Sequence, residues 1–202
     1  MLGWFGLSAS RSQNQMLALQ KGLCELSVGK ASSRRFRVLE DDQSLRRLSQ
    51  LRLASNDDSR SADWVLVCRA GRWLGYVSDE HLQELPVQKW DQHSLADYTE
   101  PLTDLPSIGE KAPLWQAVIA LEQAEGGRLL VFNLAGLPSG TLDRVDVGEA
   151  VLKHLGLRLP YSFLEAARNQ NTYPLGMALA QVVETMVSSG VVDKPCESRK
   201  RS

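Results

Sequence analysis

Residues Arg128–Ala150 read RLLVFNLAGLPSGTLDRVDVGEA, and this stretch guides the interpretation of the whole chain. Leu129–Leu134 is an apolar run of strand length, and Gly136 follows it at the position of a turn. Gly140–Leu142 resumes an extended segment, and Asp146 opens a stretch typical of a helix. The pattern predicts a strand, a tight turn, a second strand and a helix.

The same order occurs earlier in the chain, in Trp64–Leu82, which reads WVLVCRAGRWLGYVSDEHL. An apolar segment is followed by a turn, a second extended segment and the start of a helix. In both copies two glycines stand four residues apart, at Gly71 and Gly75 in the first copy and at Gly136 and Gly140 in the second. Two copies of one supersecondary unit in a short chain predict a duplicated domain.

Each copy is preceded by a strand and a helix of its own. Before the first copy, Phe36–Leu39 predicts a strand, and Leu45, Leu48 and Leu51 follow at helical spacing. Before the second copy, a short apolar strand ends near Ile108, and a helix with an apolar face follows. Each half therefore reads short strand, helix, hairpin, helix.

This order resembles the cystathionine-β-synthase (CBS) domain, which normally occurs as a tandem pair. The resemblance covers roughly residues 26–155. It implies an α/β fold of the α+β kind, in which two βαββα-type halves pack with pseudo-two-fold symmetry. An N-terminal helix over Ser12–Leu26 and a C-terminal helical pair, Ser162–Asn169 and Leu175–Ser189, would flank the two halves. An apolar face on the last helix predicts burial of Val182, Val183 and Met186.

The predicted organisation has five stretches. They are residues 1–26 (the end of a membrane helix plus a linker helix), 27–93 (the first CBS-like unit), 94–158 (the second), 159–192 (a C-terminal helical segment) and 193–202 (a disordered tail). Ser27–Ala31 and Ser94–Tyr98 would be matching lead-in segments of the two units, and Asn56–Asp63 would be a long polar loop in the first.

The amino-acid composition limits which classes of protein this chain can belong to. The 202 residues are 43% hydrophobic, which suffices for a core, and the formal net charge is −1. Because acidic and basic residues are mixed along the chain, nothing favours a nucleic-acid partner. Three widely spaced cysteines show neither zinc-site spacing nor a disulfide framework, which favours a reducing, cytoplasmic compartment. Cys68 lies in an apolar strand and is predicted to be a small core residue.

The sequence contains no recognisable active site. It has no HExxH motif, no phosphate loop of Walker type and no serine in a nucleophile elbow. His81, His93 and His154 are interpreted as surface or helix-end residues in preference to metal ligands. We therefore predict no catalytic residue, no metal site and no enzymatic activity for this chain.

The CBS resemblance implies one small-molecule site, a cleft between the two halves that often binds adenosine nucleotides. The typical pattern is Gly-x-x-Thr/Ser-x-x-Asp, in which the hydroxyl meets phosphate and the carboxylate meets the ribose hydroxyls. In the second half this pattern falls on Gly140, Asp143 and Asp146. Asp146 fits the ribose role, whereas the charge of Asp143 would repel phosphate. The alternative is that Asp146 only caps the final helix.

In the first half the pattern falls on Gly75, Ser78 and His81, so the hydroxyl is present and the acid is absent. Each half keeps one element of the pattern and lacks the other. The predicted adenine-nucleotide site therefore combines Asp146 for ribose with Ser78 for phosphate, beside Gly140 and Gly75. A basic cluster nearby in the sequence, Arg34, Arg35 and Arg37, is interpreted as a solvated strand edge in preference to an anion site.

A second resemblance involves the ends of the chain. GWFGLSASR at residues 3–11, the CBS pair and FLEAARNQNTYPLGMALAQVVETM at 163–186 together resemble the C-terminal part of cyanobacterial site-two-protease-type membrane metalloproteases. On that resemblance Met1–Leu7 ends the last membrane helix, and this part lies on the cytoplasmic side. The zinc-binding motif would lie in the membrane portion, which this chain lacks. Otherwise Met1–Leu7 is a disordered or docked terminus.

Two functions follow from these resemblances. The first is a non-catalytic regulatory or interaction module, with adenine nucleotide as its candidate ligand and the membrane protease domain or a second copy of the chain as its partner. The copies would associate through the CBS helices. The alternative is a stand-alone structural dimerisation module without a ligand. The chain would be a fragment, a late internal start or a stand-alone relative of the protease tail.

Overall fold

Two three-stranded sheets form the β-structure of the described residues. The computed structural model describes the backbone of residues 4–54 and 64–193, with side chains from residue 13 onward in those ranges. The first sheet contains β1 (Phe36–Glu40), β2 (Trp64–Arg69) and β3 (Arg72–Val77), in that order. β1 runs parallel to β2, and β2 runs antiparallel to β3.

The second sheet repeats the first. It contains β4 (Ser107–Gly109), β5 (Arg128–Phe132) and β6 (Pro138–Asp143), again in chain order. β4 is parallel to β5, and β5 is antiparallel to β6. The predicted duplication is therefore present at the level of strand order and strand direction.

The two hairpins also match in their local backbone. Gly71 and Gly136 occupy the turns with φ of +77° and +73°, a left-handed conformation that favours glycine. A shift of register follows Val67 in β2 and Val131 in β5. The predicted equivalence of the two glycine turns is confirmed.

Helices occupy the predicted places around the strands. α3 (Leu45–Leu53) follows β1, and α5 (Leu114–Gln123) follows β4. α4 (Glu80–Glu84) comes after the first hairpin, and α6 (Arg144–His154) comes after the second. The predicted polar loop at 56–63 lies outside the described residues. The two halves share the order strand, helix, hairpin, helix.

Helical periodicity explains which side chains these helices bury. Leu45 and Leu48 lie three residues apart on α3, and both are fully buried. Burial of one such side chain stabilises the fold by roughly 1.5–3 kcal/mol. Between the two sheets lies a further cluster, made of Phe36, Leu66, Leu105 and Leu130.

The segment before β1 packs on the second half. It extends the predicted lead-in, residues 27–31, to residue 33, and we call it the first lead-in segment (27–33). It contains α2 (Val28–Ala31), whose first amide N–H donates to the carbonyl oxygen of Ala112 at 2.8 Å. Ser33 then forms an antiparallel bridge with Thr141 of β6. The first lead-in segment thus adds an edge to the second sheet.

The second lead-in segment (94–100) makes the reciprocal crossing. It contains a 3₁₀ turn at Leu95–Tyr98, and the N–H of Leu95 donates to the carbonyl oxygen of Gln43 at 2.7 Å. Glu100 forms an antiparallel bridge with Tyr76 of β3. The division of the chain at residue 93 stays a prediction, and these contacts tie the two proposed units to each other.

Three further helices lie outside the repeat, and all three contact the second half. They are α1 (Trp4–Glu25), α7 (Tyr161–Asn169) and α8 (Leu179–Ser188). α1 and α8 contact each other and α5. On α8 the predicted buried side chains have exposed fractions of 3%, 2% and 0% in Val182, Val183 and Met186, which confirms that prediction.

Both predicted flanking helices differ from the structure in where they begin. α1 begins at Trp4, upstream of the predicted Ser12, so it includes most of Met1–Leu7. α8 begins at Leu179, because Leu175 adopts a left-handed φ of +57° that a right-handed helix cannot contain. Within residues 4–54 and 64–193, no helix combines the length and apolar character needed to cross a membrane.

Several residues outside these helices also belong to the core or pack partly buried against it. Cys68 has an exposed fraction of 8%, as expected for a small core residue. Trp115 is buried on α5, and Trp64 and Trp73 pack partly buried against the cluster between the sheets. Packing therefore accounts for these three tryptophans.

Candidate functional site at the start of helix α6

Two aspartates close the first turn of α6 in a reciprocal arrangement. A side-chain oxygen of Asp143 accepts from the backbone N–H of Asp146 at 2.8 Å, and Asp146 accepts from the N–H of Asp143 at 3.1 Å. This is a capping box, with Asp143 at the N-cap and Asp146 at the third helical position. Asp143 is therefore the N-cap residue, and the alternative that Asp146 caps this helix is supported in the form of its role at the third position of the box.

Arg35 lies between the first lead-in segment and β1, and it binds both aspartates. Its Nη2 lies 2.8 Å from Oδ2 of Asp143 and 2.5 Å from Oδ2 of Asp146. Its Nε donates to Oγ of Ser33, which in turn donates to Oδ2 of Asp146 at 3.2 Å. The side chain of Arg35 is only 22% exposed, so the solvated-edge interpretation is wrong for this residue.

Arg168 of α7 reaches the same two carboxylates. Its Nε donates to Oδ2 of Asp143 at 3.0 Å, and its Nη2 donates to Oδ1 of Asp146 at 3.3 Å. Two positive and two negative groups from three separate segments therefore meet in one place, which we call the Arg–Asp cluster (Arg35, Asp143, Asp146 and Arg168). Its formal charge is zero with all four groups ionised.

The pKa values of the two aspartates are shifted in opposite directions. Burial, followed by the nearby charge of Asp143, raises the pKa of Asp146 to about 6 against the pull of Arg35 and Arg168. Burial also acts on Asp143, but the charges of Arg35 and then Arg168 outweigh it, and the pKa of Asp143 lies below its ordinary value. Two close carboxyl groups commonly divide in this way, because ionisation of one disfavours ionisation of the other.

Gly75 and Gly140, which the sequence placed in the nucleotide site, lie directly beside the backbone of the two lead-in segments. A Cβ atom on Gly75 would overlap the carbonyl oxygen of Glu100. A Cβ atom on Gly140 would lie 3.1 Å from the carbonyl oxygen of Ser33. Close approach of a backbone is a sufficient reason for glycine at both places.

At the equivalent position of the first half, the acid lies on the lead-in segment and a histidine lies on the helix. Where Asp146 faces Ser33 in the second half, Nε2 of His81 faces a carboxylate oxygen of Glu100 at 3.4 Å. Nδ1 of His81 lies 3.4 Å from Glu84 on the same helix. The histidine is half-buried against the ring of Tyr98, with ring centroids 5.0 Å apart.

The predicted combination of Ser78 with Asp146 is not joined by contacts. Oγ of Ser78 accepts from the N–H of Glu80 at 3.3 Å, at the start of α4. In the described part of the chain, no hydrogen bond or ion pair links Ser78 to the Arg–Asp cluster. Their joint role in a site stays a prediction.

Sequence reasoning missed Arg168 and assigned Arg35 to solvent. Arg35 is one of three arginines around Phe36, and nothing in that run singles out the one that turns inward. Arg168 lies on a short helix far along the chain from Asp143, so only the folded arrangement brings the two together. No local spacing rule reports such a contact.

Comparisons with solved structures identify the architecture. The CBS domain of a bacterial CNNM/CorC family Mg²⁺ transporter superposes with a TM-score of 0.51 at 17% identity, covering 75% of this chain and 97% of that one. The fold is that of a CBS-domain pair. The CBS domain of the same transporter family in complex with ATP gives a TM-score of 0.52 at 18% identity, covering 70% of this chain and 97% of the other.

A third CBS pair belongs to a proposed Mg²⁺ transporter of Shewanella oneidensis MR-1. It gives a TM-score of 0.51 at 18% identity, and the match covers 71% of this chain and 80% of that chain. At this level of identity the likeness concerns the fold alone. No family model and no curated protein sequence matches the chain.

The groups of the Arg–Asp cluster are suited to binding anions and hydroxyl groups. Carboxylates accept hydrogen bonds from sugar hydroxyls, and guanidinium groups bind phosphate through paired donors. Both oxygens of Asp146 already accept hydrogen bonds from the chain itself. Within the described ranges, no group of three or more His, Cys, Asp and Glu residues is placed to hold a metal ion.

Proposed function

We propose that the chain is a non-catalytic regulatory CBS pair that binds adenine nucleotide at the Arg–Asp cluster. The observation that carries this proposal is the position of Asp146. It lies in the first turn of the helix that follows β6, with an exposed fraction of 5%. That is the place to which the CBS resemblance assigns the ribose carboxylate.

The cluster also removes an objection to phosphate binding. The charge of Asp143 would repel phosphate if it were unpaired, but Arg35 and Arg168 bind it at 2.8 and 3.0 Å. Of the two guanidinium groups, that of Arg35 is a suitable phosphate ligand, because arginine presents several donors in a fixed plane. The ATP complex of a CNNM/CorC CBS domain supports adenine nucleotide as the ligand class.

In this arrangement Arg35 and Arg168 occupy both oxygens of Asp146, so one of them must move before a ribose can bind. Arg168 is the residue best placed to move. Arg35 is held by Ser33 and by the bridge that joins the first lead-in segment to β6. Arg168 lies on α7, a helix of nine residues in which only Leu164 is buried. Ribose binding would therefore displace Arg168 and loosen α7, which couples the ligand to the C-terminal tail.

Calorimetry with ATP, ADP and AMP tests the proposal. Arg168→Gln is expected to tighten binding, since it frees an oxygen of Asp146. Asp146→Asn should weaken binding by about ten- to hundredfold, the loss typical of a charged hydrogen-bond partner. Arg46→Gln breaks an exposed ion pair with Asp91 and serves as the control with unchanged affinity. No binding to wild type and to Arg168→Gln at millimolar nucleotide would exclude the sensing function.

In that case the structural alternative would apply, namely a scaffold or dimerisation unit without a ligand. Saturation of Asp146 by the chain favours this alternative. A dimer formed through CBS helices would involve α3 and α4, because α1 and α8 already pack on the helices of the second half. Measurement of the molar mass in solution by light scattering separates the dimer from the monomer.

We also propose a membrane-embedded parent for this module. The sequence resemblance favours a site-two-protease-type zinc metalloprotease, with this part on the cytoplasmic side. The transporter CBS domains offer a second kind of parent and share only the fold with this chain. An HExxH motif in the coding sequence upstream of Met1 would support the protease, and a transporter membrane domain there would contradict it.

A further inference from the structure

The tips of the two hairpins border a cavity of about 500 Å³ that lies apart from the Arg–Asp cluster. Part of the lining comes from the first half, through Arg72 and Trp73 of β3, and part comes from the second half, through Phe132 of β5. Leu102, Thr103 and Ser107, from the chain that leads into β4, complete the lining. Small-molecule sites commonly have volumes of roughly 300–1,000 Å³.

The aromatic walls of this tip cavity are fixed in place by the core between the sheets. The ring of Trp73 packs edge-on against Phe36, with centroids 6.0 Å apart and planes at 82°. Phe36 is 8% exposed, and both Trp73 and Phe132 pack against its cluster. Rigid aromatic rings that line an open cavity present flat apolar surface at little entropic cost, which suits a planar ligand.

The polar groups of the tip cavity are hydrogen-bond donors and one cation. Among the residues that the structure describes, the side chains of Arg72, Trp73, Thr103 and Ser107 have no hydrogen-bond or ion-pair partner. No acidic residue belongs to the described lining. A cavity with one guanidinium, an indole N–H and two hydroxyls, and with no carboxylate, favours a negatively charged ligand.

From this combination we propose that the tip cavity binds a planar aromatic anion, of which a nucleoside monophosphate is the simplest biological class. The ring packs on the aromatic surface of Trp73 and Phe132, and the anionic group meets Arg72 and the hydroxyls of Thr103 and Ser107. The cavity draws on both halves, so its ligand binds across the pair. This site is independent of Asp146.

AMP is the probe, and titration by NMR follows the indole N–H resonance of Trp73, assigned by comparison with Trp73→Phe. In wild type, AMP should shift that resonance with an affinity about tenfold or more above those of adenosine and of ribose 5-phosphate. Each of these two lacks one of the recognised groups. Equal affinity for AMP and adenosine, or no shift of the Trp73 resonance at millimolar AMP, would overturn the proposal.

Matched variants separate this site from the Arg–Asp cluster. Arg72→Gln should lower AMP affinity at the Trp73 resonance by about tenfold or more, because a charged hydrogen-bond donor is lost. Lys89→Gln makes the same charge change outside the cavity and should have no effect. Asp146→Asn should leave the Trp73 response unchanged. If Asp146→Asn abolishes that response while Arg72→Gln preserves it, the tip cavity is excluded and the cluster remains the nucleotide site.

Discussion

At the scale of single residues, Asp146 carries a carboxyl group whose chemistry departs from that of an ordinary aspartate. Its carboxyl is 5% exposed, and burial is the main reason that its pKa rises to about 6. An aspartate in the unfolded chain loses its proton near pH 4. Between these two values the folded state holds a proton that the unfolded state has released, so proton binding favours folding at the acidic end.

We therefore predict that Asp146 lowers the stability of the fold as pH rises from about 4 to 6. Asp146→Asn cannot titrate, so the free energy of unfolding of wild type relative to this variant should fall by about 1–2 kcal/mol between pH 4.5 and pH 7.5. Urea unfolding of both proteins at the two pH values measures this difference. Asp143, with its pKa lowered, acts only at more acidic pH. Parallel pH curves for the two proteins would contradict the assignment.

Residue-level prediction from sequence succeeded where the reason was local. Gly71 and Gly136 could be placed in turns because a tight hairpin turn requires a left-handed backbone, and glycine adopts it freely. Arg35 could not be assigned correctly, because its inward direction depends on Asp143 and Asp146, which lie more than a hundred residues further along the chain. Sequence spacing reports contacts along one element and carries no information on contacts between distant elements.

At the scale of elements, each hairpin strand β3 and β6 accepts a bridge from a lead-in segment, and the glycine in it leaves room for that segment. A Cβ on Gly75 would overlap the carbonyl oxygen of Glu100, whereas a Cβ on Gly140 would lie 3.1 Å from that of Ser33. We predict that Gly75→Ala destabilises the fold by about 1–3 kcal/mol, the range for overpacking, and that Gly140→Ala costs less.

Chemical denaturation of the two variants measures this pair of values. In Gly75→Ala, hydrogen exchange should show reduced protection of the amides of Tyr76 and Glu100. These two amides donate hydrogen bonds to each other's carbonyl oxygens, each 2.8 Å long in the native fold. Unchanged protection of both amides in Gly75→Ala would argue that the second lead-in segment shifts without breaking its bridge. In that event the glycine would be dispensable for the crossing.

Helix α8 gives a second prediction at this scale. Met186 is fully buried among side chains of the second half, so Met186→Ala should cost about 2–5 kcal/mol by leaving a cavity. Leu17→Ala on α1 is the control, because Leu17 is 60% exposed and such surface changes usually stay within about 0.5 kcal/mol. Thermal unfolding followed by circular dichroism measures both. Equal effects would mean that α8 is not docked as the structure has it.

The elements themselves were largely predictable, and their partners were not. The apolar spacing of α8 predicted a buried face, since a helix of this length is marginal in water without a partner. That pattern could not tell whether α5, a second copy or a membrane domain covers the face. The structure assigns α5 and α1 to it, since both helices contact α8.

At the scale of the whole molecule, the reciprocal crossing of the lead-in segments decides how the two halves depend on each other. The first sheet receives Glu100 from the second predicted unit, and the second sheet receives Ser33 from the first. Each half alone would lack this edge and would also expose the apolar cluster that contains Leu66 and Leu130. Domains of this small size have little stability to spare.

We therefore predict that residues 27–93 and 94–158, produced as separate chains, each remain largely unfolded. The two pieces mixed in equal amounts should regain helical and strand structure, because only the mixture supplies both crossings. Circular dichroism and the dispersion of amide resonances in NMR spectra measure this for each piece and for the mixture. The uncut stretch 27–158 is the matched control for the loss of α1, α7 and α8. If this stretch folds and either piece also folds alone, the halves are independent units, and the crossing contributes little to the stability of the pair.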